Sequence, residues 1–166
     1  MPKNGFEAAQ SVRDTIYRAS LALDDFSWQD WLDLCDPETF HYMVSSFSPE
    51  ISKNMIYLHG SWSEMKLMIE MLPKHNSDHS PLHRQTSVYT VDVSADGKTA
   101  EAVSSFVIYQ NMLDGINSHI DSGESRLFLV GKYHDQFKIE DGIARFTKRD
   151  TRLGNRRLDK GSHYPI

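Results

Sequence analysis

The chain has 166 residues, 25% of them charged and 39% hydrophobic, the proportions of a soluble globular protein that buries on the order of two thirds of its unfolded surface in one domain over residues 1–166. A formal net charge of −5 argues against a general nucleic-acid binder, and no apolar run approaches the roughly 20 residues that cross a bilayer, so no membrane segment is expected. The single cysteine, Cys35, excludes an internal disulfide and an iron–sulfur cluster held by cysteines of this chain; it reads as a core thiol.

The N-terminal MPKNGFEAAQSVRD lacks the basic, apolar and small-residue succession of a secretory signal, so the cytoplasm is the expected compartment. Val12, Ile16, Ala19 and Leu23 recur at helical spacing and predict an amphipathic helix from about Glu7 to Leu23. Ser27 can cap a second helix with Trp28, Trp31, Leu32 and Cys35 as its apolar stripe, stopped by Pro37. Phe40, Tyr42 and Val44 alternate with His41, Met43 and Ser45 as in a short strand, and Ile51 to Leu58 adds another. Ser61 and Glu64 have capping-box spacing ahead of Met65, Met68, Ile69 and Leu72, with Pro73 as terminator. At that spacing methionines fill a core.

From about Leu82 the chain turns to strands: Arg84 to Val93, a turn at Ala95-Asp96-Gly97, then Thr99 to Met112. The polar, glycine-containing segment 113–124 reads as a long loop. Arg126 to Leu153 forms two long strands joined at Asp141-Gly142, a dipeptide that supplies the positive φ angles of a two-residue hairpin loop. In the first arm Leu127, Leu129, Gly131, Tyr133, Asp135 and Phe137 share one face, with Phe128, Val130, Lys132, His134 and Gln136 on the other. In the second, Ile143, Arg145 and Thr147 alternate with Ala144, Phe146 and Lys148, and Gly131 marks a bend or bulge. Tyr133 is expected in the core, and Asp135 is expected to pair with Arg145 or Arg149 across the hairpin. Helices first and a long antiparallel meander afterwards make an α+β domain, a curved sheet wrapped around its N-terminal helices.

The run Gly131-Lys132-Tyr133-His134-Asp135, the Asp-Gly turn, Arg145-Phe146, Arg149 and Arg152-Leu153 resemble the C-terminal hairpin of the small (β) subunits of Rieske-type ring-hydroxylating oxygenases. There a Gly-Arg-Tyr-x-Asp strand is followed by a turn and an arginine-rich strand. Leu72 to Asp92 is most similar to the methanesulfonate monooxygenase branch of that family. The resemblance implies a cystatin-like (nuclear-transport-factor-like) cone, a fold shared with ketosteroid isomerases, scytalone dehydratases and polyketide cyclases. It implies a non-catalytic structural subunit, with the Rieske iron–sulfur cluster and mononuclear iron in the partner large (α) subunit and no cofactor or metal in this chain. It further implies a trimer of small subunits within a hexamer of three large and three small, served by a reductase or ferredoxin through the large subunit. Lys132 stands where arginine is usual, and Ala144 near a position where tryptophan often follows the turn. Those departures leave the substrate open between an aromatic acid, another ring compound and a small sulfonate.

Subunit contacts are expected at His79, His83, Arg84 and Tyr89, and at Tyr133, Arg149, Arg152, Arg156 and Arg157 in the hairpin and its basic tail. His75, Asp78, His79 and His83 are the one metal-like constellation, but Pro73 and Pro81 interrupt the helix that would align them, so these read as loop and contact residues. The competing reading is a stand-alone isomerase, dehydratase or cyclase using the cone as its pocket. Asp25 (or Asp24) and His83 (or His134) would then supply the acid/base pair, with Tyr42 polarising a carbonyl. A small-ligand binding module would have the pocket without the pair.

Overall fold

Helix α1 (Lys3–Asp24) buries the expected stripe of Val12, Ile16, Ala19 and Leu23 against the sheet and starts four residues before the stripe predicts. The computed structural model describes residues 3–75, 79–113, 122–156 and 164–166. Helix α2 (Trp28–Asp33) follows, then strands β1 (His41–Ser48) and β2 (Lys53–Ser61), helix α3 (Trp62–His75), and strands β3 (Leu82–Val93), β4 (Thr99–Asn111), β5 (Ser125–Glu140) and β6 (Ile143–Leu153). The six strands form one sheet in the order β2-β1-β6-β5-β4-β3, antiparallel throughout except for β1 beside β6. The helices lie on one face, α1 against β3, β4 and β6 and α3 against β1 and β2. This is the α+β arrangement expected from the order of elements, in the cone form that the resemblance implies.

Local chemistry accounts for the ends of the helices, with two departures. The capping box of α3 forms: the Ser61 amide donates to Glu64 Oε2 at 2.7 Å and the Glu64 amide to Ser61 Oγ at 3.4 Å. Pro73 does not end that helix but lies in its last turn, where the ring forfeits only its own bond back to Ile69. Ser27 holds the N-cap position of α2 without a side-chain capping bond; its carbonyl receives the Trp31 amide at 3.1 Å instead.

Beyond α2 the chain is fastened to β6 by the Asp36 amide on Phe146 O at 2.8 Å and the Phe146 amide on Leu34 O at 3.0 Å. The buried Asp36 carboxylate accepts the Thr39 amide at 2.9 Å and the Thr39 hydroxyl at 2.7 Å, and it pairs with Lys138 of β5. Burial opposes its charge, but Lys138 and Thr39 more than offset this and hold its pKa below the usual aspartate value. The unfolded chain therefore takes up the proton more readily, so this contribution is full above the ordinary aspartate pKa of about 3.9 and is lost as pH falls through the folded value. Asp36→Asn is expected to cost about 1–3 kcal/mol at pH 7, with the gap to the parent chain narrowing below about pH 4. Urea melts at pH 7 and pH 3 measure both, and a gap unchanged between them would refute the assignment.

Two bulges set which side chains enter the core. The Asp141-Gly142 turn has the expected positive φ angles, 52° and 77°. The β4–β5 register passes from Ile108↔Leu129 to Tyr109↔Leu127, so Phe128 is an extra residue. Phe128 turns inward at 8% exposure and Leu127 outward at 60%, reversing the single alternation expected for that arm. In β6 the extra residue is Thr147: Ala144 and Phe146 face inward before it, and Arg149, Thr151 and Leu153 after it. At Gly131 the ladders run on through Phe106 and Leu153 with no shift, so that glycine marks no bulge. The strand β6 instead passes so close that a Cβ there would lie 2.3 Å from Arg152 O.

Candidate functional site

Inside the cone the signature residues contact one another. The Phe106 ring stacks on Tyr133 with centroids 4.3 Å apart, and Tyr133 faces the Arg149 guanidinium at 4.2 Å. Phe146 covers the other side of Arg149 at 4.4 Å and meets Phe137 at 4.6 Å. Arg149 grips Asp135 with two parallel bonds, Nε to Oδ1 at 3.0 Å and Nη2 to Oδ2 at 2.9 Å. Both partners are fully enclosed. Burial pushes the Asp135 carboxyl upward while Arg149 pulls it back. Burial likewise opposes the charge on Arg149, and the Asp135 carboxylate more than offsets it.

A second polar group closes one end of the cone. Asp24, the last residue of α1, accepts the Arg84 amide at 2.8 Å and its guanidinium at 2.5 Å. Arg84 Nη2 donates to Pro165 O at 3.1 Å. The Tyr42 hydroxyl donates to Ile166 O at 3.1 Å and accepts the Ile166 amide at 2.7 Å, and burial raises its pKa. Tyr164 stacks on Phe26 and Trp28, each at 5.4 Å.

Of the residues proposed as an acid/base set, Asp24 and Tyr42 lie in that polar group, each already engaged by a partner within the chain, and the others lie elsewhere. Asp25 is exposed just beyond α1, and His83 is exposed because its neighbour Arg84 takes the inward position on β3. Tyr42 is buried, with its hydroxyl engaged by Ile166. His134 lies on the face of β5 opposite Asp135, its pKa lowered first by burial and then by Arg152. A cleft of about 710 Å³ runs outside the cone, along Glu7, Asp96, Lys98, Glu140 and Asp141 at the hairpin ends. It holds none of the proposed residues.

The expected contact residues divide by burial. Arg84, Tyr133 and Arg149 are enclosed within the chain at 6%, 0% and 1% exposure, so the expectation that they reach another subunit's surface is corrected: each faces the cone interior. His79, His83 and Tyr89 are exposed. Arg152 is exposed and pairs with Asp150 at 2.8 Å, and Arg156 pairs with Glu50, whose carboxyl it holds down to about 2. Arg157 and Asp78 lie outside the described residues, as does the side chain of His75. Sequence reasoning missed the inward role of Asp24 and the seating of Tyr164–Ile166. The only sequence signal for the second was an apolar Tyr-Pro-Ile after a basic run.

Among the described residues no three His, Cys, Asp or Glu side chains gather as a metal-ligand set. Cys35 is buried, with Sγ 3.5 Å from Trp31 O and its thiol pushed up by burial. A Rieske cluster needs two cysteines and two histidines, and this chain's one cysteine does not fit it. No described helix is long and apolar enough to cross a membrane.

A helix-filled cone of this kind defines a protein class, and the SnoaL-like domain family matches residues 6–150. The chain is also 58% identical to the methanesulfonate monooxygenase hydroxylase subunit beta of Methylosulfonomonas methylovora, over 99% of this chain and 91% of that one. It is 27% identical to the 2-aminobenzenesulfonate 2,3-dioxygenase subunit beta of an Alcaligenes species, over 94% and 97%. In three dimensions it matches a Novosphingobium aromaticivorans protein described as the beta subunit of an aromatic-ring-hydroxylating dioxygenase, with a TM-score of 0.78, 21% identity and coverage of 96% and 97%. The chain belongs to the SnoaL-like family and, within it, to the β subunits of the oxygenase hydroxylases.

Proposed function

We propose that this chain is the non-catalytic structural small subunit of a Rieske non-haem iron oxygenase, bracing a large subunit that carries the cluster and the iron and inserts oxygen into its substrate. The observation that carries this reading is the interior of the cone, where Asp24, Tyr42, Asp135 and Arg149 are engaged by partners within the chain rather than presented as a free acid/base pair. The face of the sheet opposite the helices supports it too. That face presents Met43, Val103, Val107 and Val130, half-buried, beside exposed Lys132 and Arg152. This mixture suits contact with another subunit.

In this reading the small subunits form a trimer that fixes neighbouring large subunits, so that the cluster of one lies near the iron of the next. Reductase or ferredoxin reaches the assembly through the large subunit, in the cytoplasm. His79, His83, Tyr89, Arg152, Arg156 and Arg157 are the contact residues. The higher identity to the methanesulfonate enzyme's subunit than to the aminobenzenesulfonate one favours a small sulfonate as the substrate of the assembly.

Co-expression with a Rieske-type large subunit from the same organism, purification through a tag on this chain, and measurement of mass and iron test the proposal. An iron-containing hexamer is expected. A chain recovered without large subunit and without iron would overturn it. Arg156→Glu is expected to cut the recovered large subunit severalfold while leaving this chain's melting temperature within a few degrees, since Arg156 and its partner Glu50 are both exposed.

A further inference from the structure

We propose that the end of the cone where α1 stops is a binding site, and that its resident ligand is the chain's own segment Tyr164–Pro165–Ile166. The three residues belong to no helix or strand, yet all are buried. Buried irregular backbone needs partners for its amides and carbonyls. Side chains supply them: Arg84 from β3 binds Pro165 O, and Tyr42 from β1 brackets both the amide and the carbonyl of Ile166. Three bonds to the main chain of two consecutive residues are how a site holds a peptide, and the stacked Phe26 and Trp28 add an aromatic clamp on Tyr164.

Two features show a site built for an occupant. Arg84 is fixed in advance, its amide and guanidinium both held by Asp24. Its guanidinium also faces the buried Tyr133 hydroxyl, where it opposes the upward push of burial on that phenol, so one side chain links the segment to the centre of the cone. Phe26 is set by the end of α1: it takes the left-handed φ of +56° that closes the helix, with the Ser27 amide bonded back to Ala22 O at 2.8 Å, and this turn presents its ring to Tyr164. Beside Tyr164 the same clamp opens into a cleft of about 130 Å³ lined by Phe26, Trp28, Leu72, Pro73 and His79. A guanidinium, a phenol and two flat rings select a compact aromatic anion once the segment is withdrawn. The segment is therefore a plug, and the cone is closed by self-occupation. This inference does not rest on the subunit reading.

Hydrogen exchange on the full chain tests the seating directly. The Ile166 amide is expected to be protected, and Tyr42→Phe to speed its exchange at least tenfold with the β4–β5 amides unchanged. Exchange at Ile166 as fast as in a free peptide, or unaffected by Tyr42→Phe, would overturn the proposal. A variant ending at His163 tests the site. It is expected to bind one equivalent of 8-anilinonaphthalene-1-sulfonate, at least tenfold more tightly than the parent chain, with acetyl-Tyr-Pro-Ile competing. A folded shortened chain that binds the probe no better than the parent also refutes it. If that variant fails to fold, the exchange result on Tyr42→Phe decides.

Discussion

Asp135→Leu and Arg149→Met, made singly, are each expected to lower the unfolding free energy by about 3–5 kcal/mol, and made together to lower it by less than the worse of the two. Each single change strands a charge or its desolvated partner among Tyr133, Phe146 and Phe137, where no water reaches. The double change removes both charges and leaves apolar volume in their place. Arg149→Lys separates charge from shape: it keeps the cation but loses the two-pronged grip on Asp135 and the flat stack between two rings. A loss of about 2 kcal/mol is expected for it. Urea unfolding of the four chains measures the coupling, and single costs that simply add would show that the pair contributes no more than its separate packing.

The pair also shows how far the sequence could be read. Its partners were legible only as an acid on one arm and arginines on the other: the Asp-Gly turn alone sets Asp135 opposite Lys148, and the extra residue Thr147 brings Arg149 there instead. Its side of the sheet was not. A signature states which residues travel together without stating whether they face a core or a partner, so Tyr133 and Arg149 are expected both as a core ring with a cross-hairpin partner for Asp135 and as subunit contacts, and the structure shows the first. The Thr147 bulge decided the matter by moving the inward phase of β6 from even to odd numbers, and no residue preference around Thr147 announces it. The α1 exit is a similar case. Asp24 and Asp25 are adjacent and chemically alike, yet the helix phase that buries Leu23 turns Asp24 toward Arg84 and leaves Asp25 in solvent. The capping box, the helix stripes and the two hairpins were readable because each depends on neighbours in sequence.

The basic tail illustrates the same limit in charge. Residues 145 to 166 read as a cationic patch, but the fold assigns its arginines separately. Arg149 is neutralised in the core, while Arg152 and Arg156 are paired with Asp150 and Glu50. Counting charge along a strand overstates the field on its surface, because alternate residues face opposite environments.

Gly131→Ala is expected to be as damaging as losing the ion pair, at about 3 kcal/mol or more, at the upper end of what overpacking costs. The added Cβ would lie 2.3 Å from Arg152 O and 2.8 Å from Phe106 Cζ. The first obstacle is backbone on the paired strand, and the second is a ring stacked on Tyr133, so relief on either side dismantles part of the column that holds Arg149. Gly142→Ala makes the comparison sharp: φ is +77° there, with nothing within 4 Å of a new Cβ, and the expected cost is about 1 kcal/mol from the backbone alone. Phe106→Ala added to Gly131→Ala removes one obstacle and leaves the Arg152 carbonyl, so it is not expected to restore stability. Denaturant melts of these variants give the order, and a Gly131→Ala chain no less stable than Gly142→Ala would mean that β6 can draw back from β5 at little cost. In that event the glycine of the signature would owe its place to something other than this close approach, and the rigid column of Phe106, Tyr133 and Arg149 would lose its anchor in the hairpin.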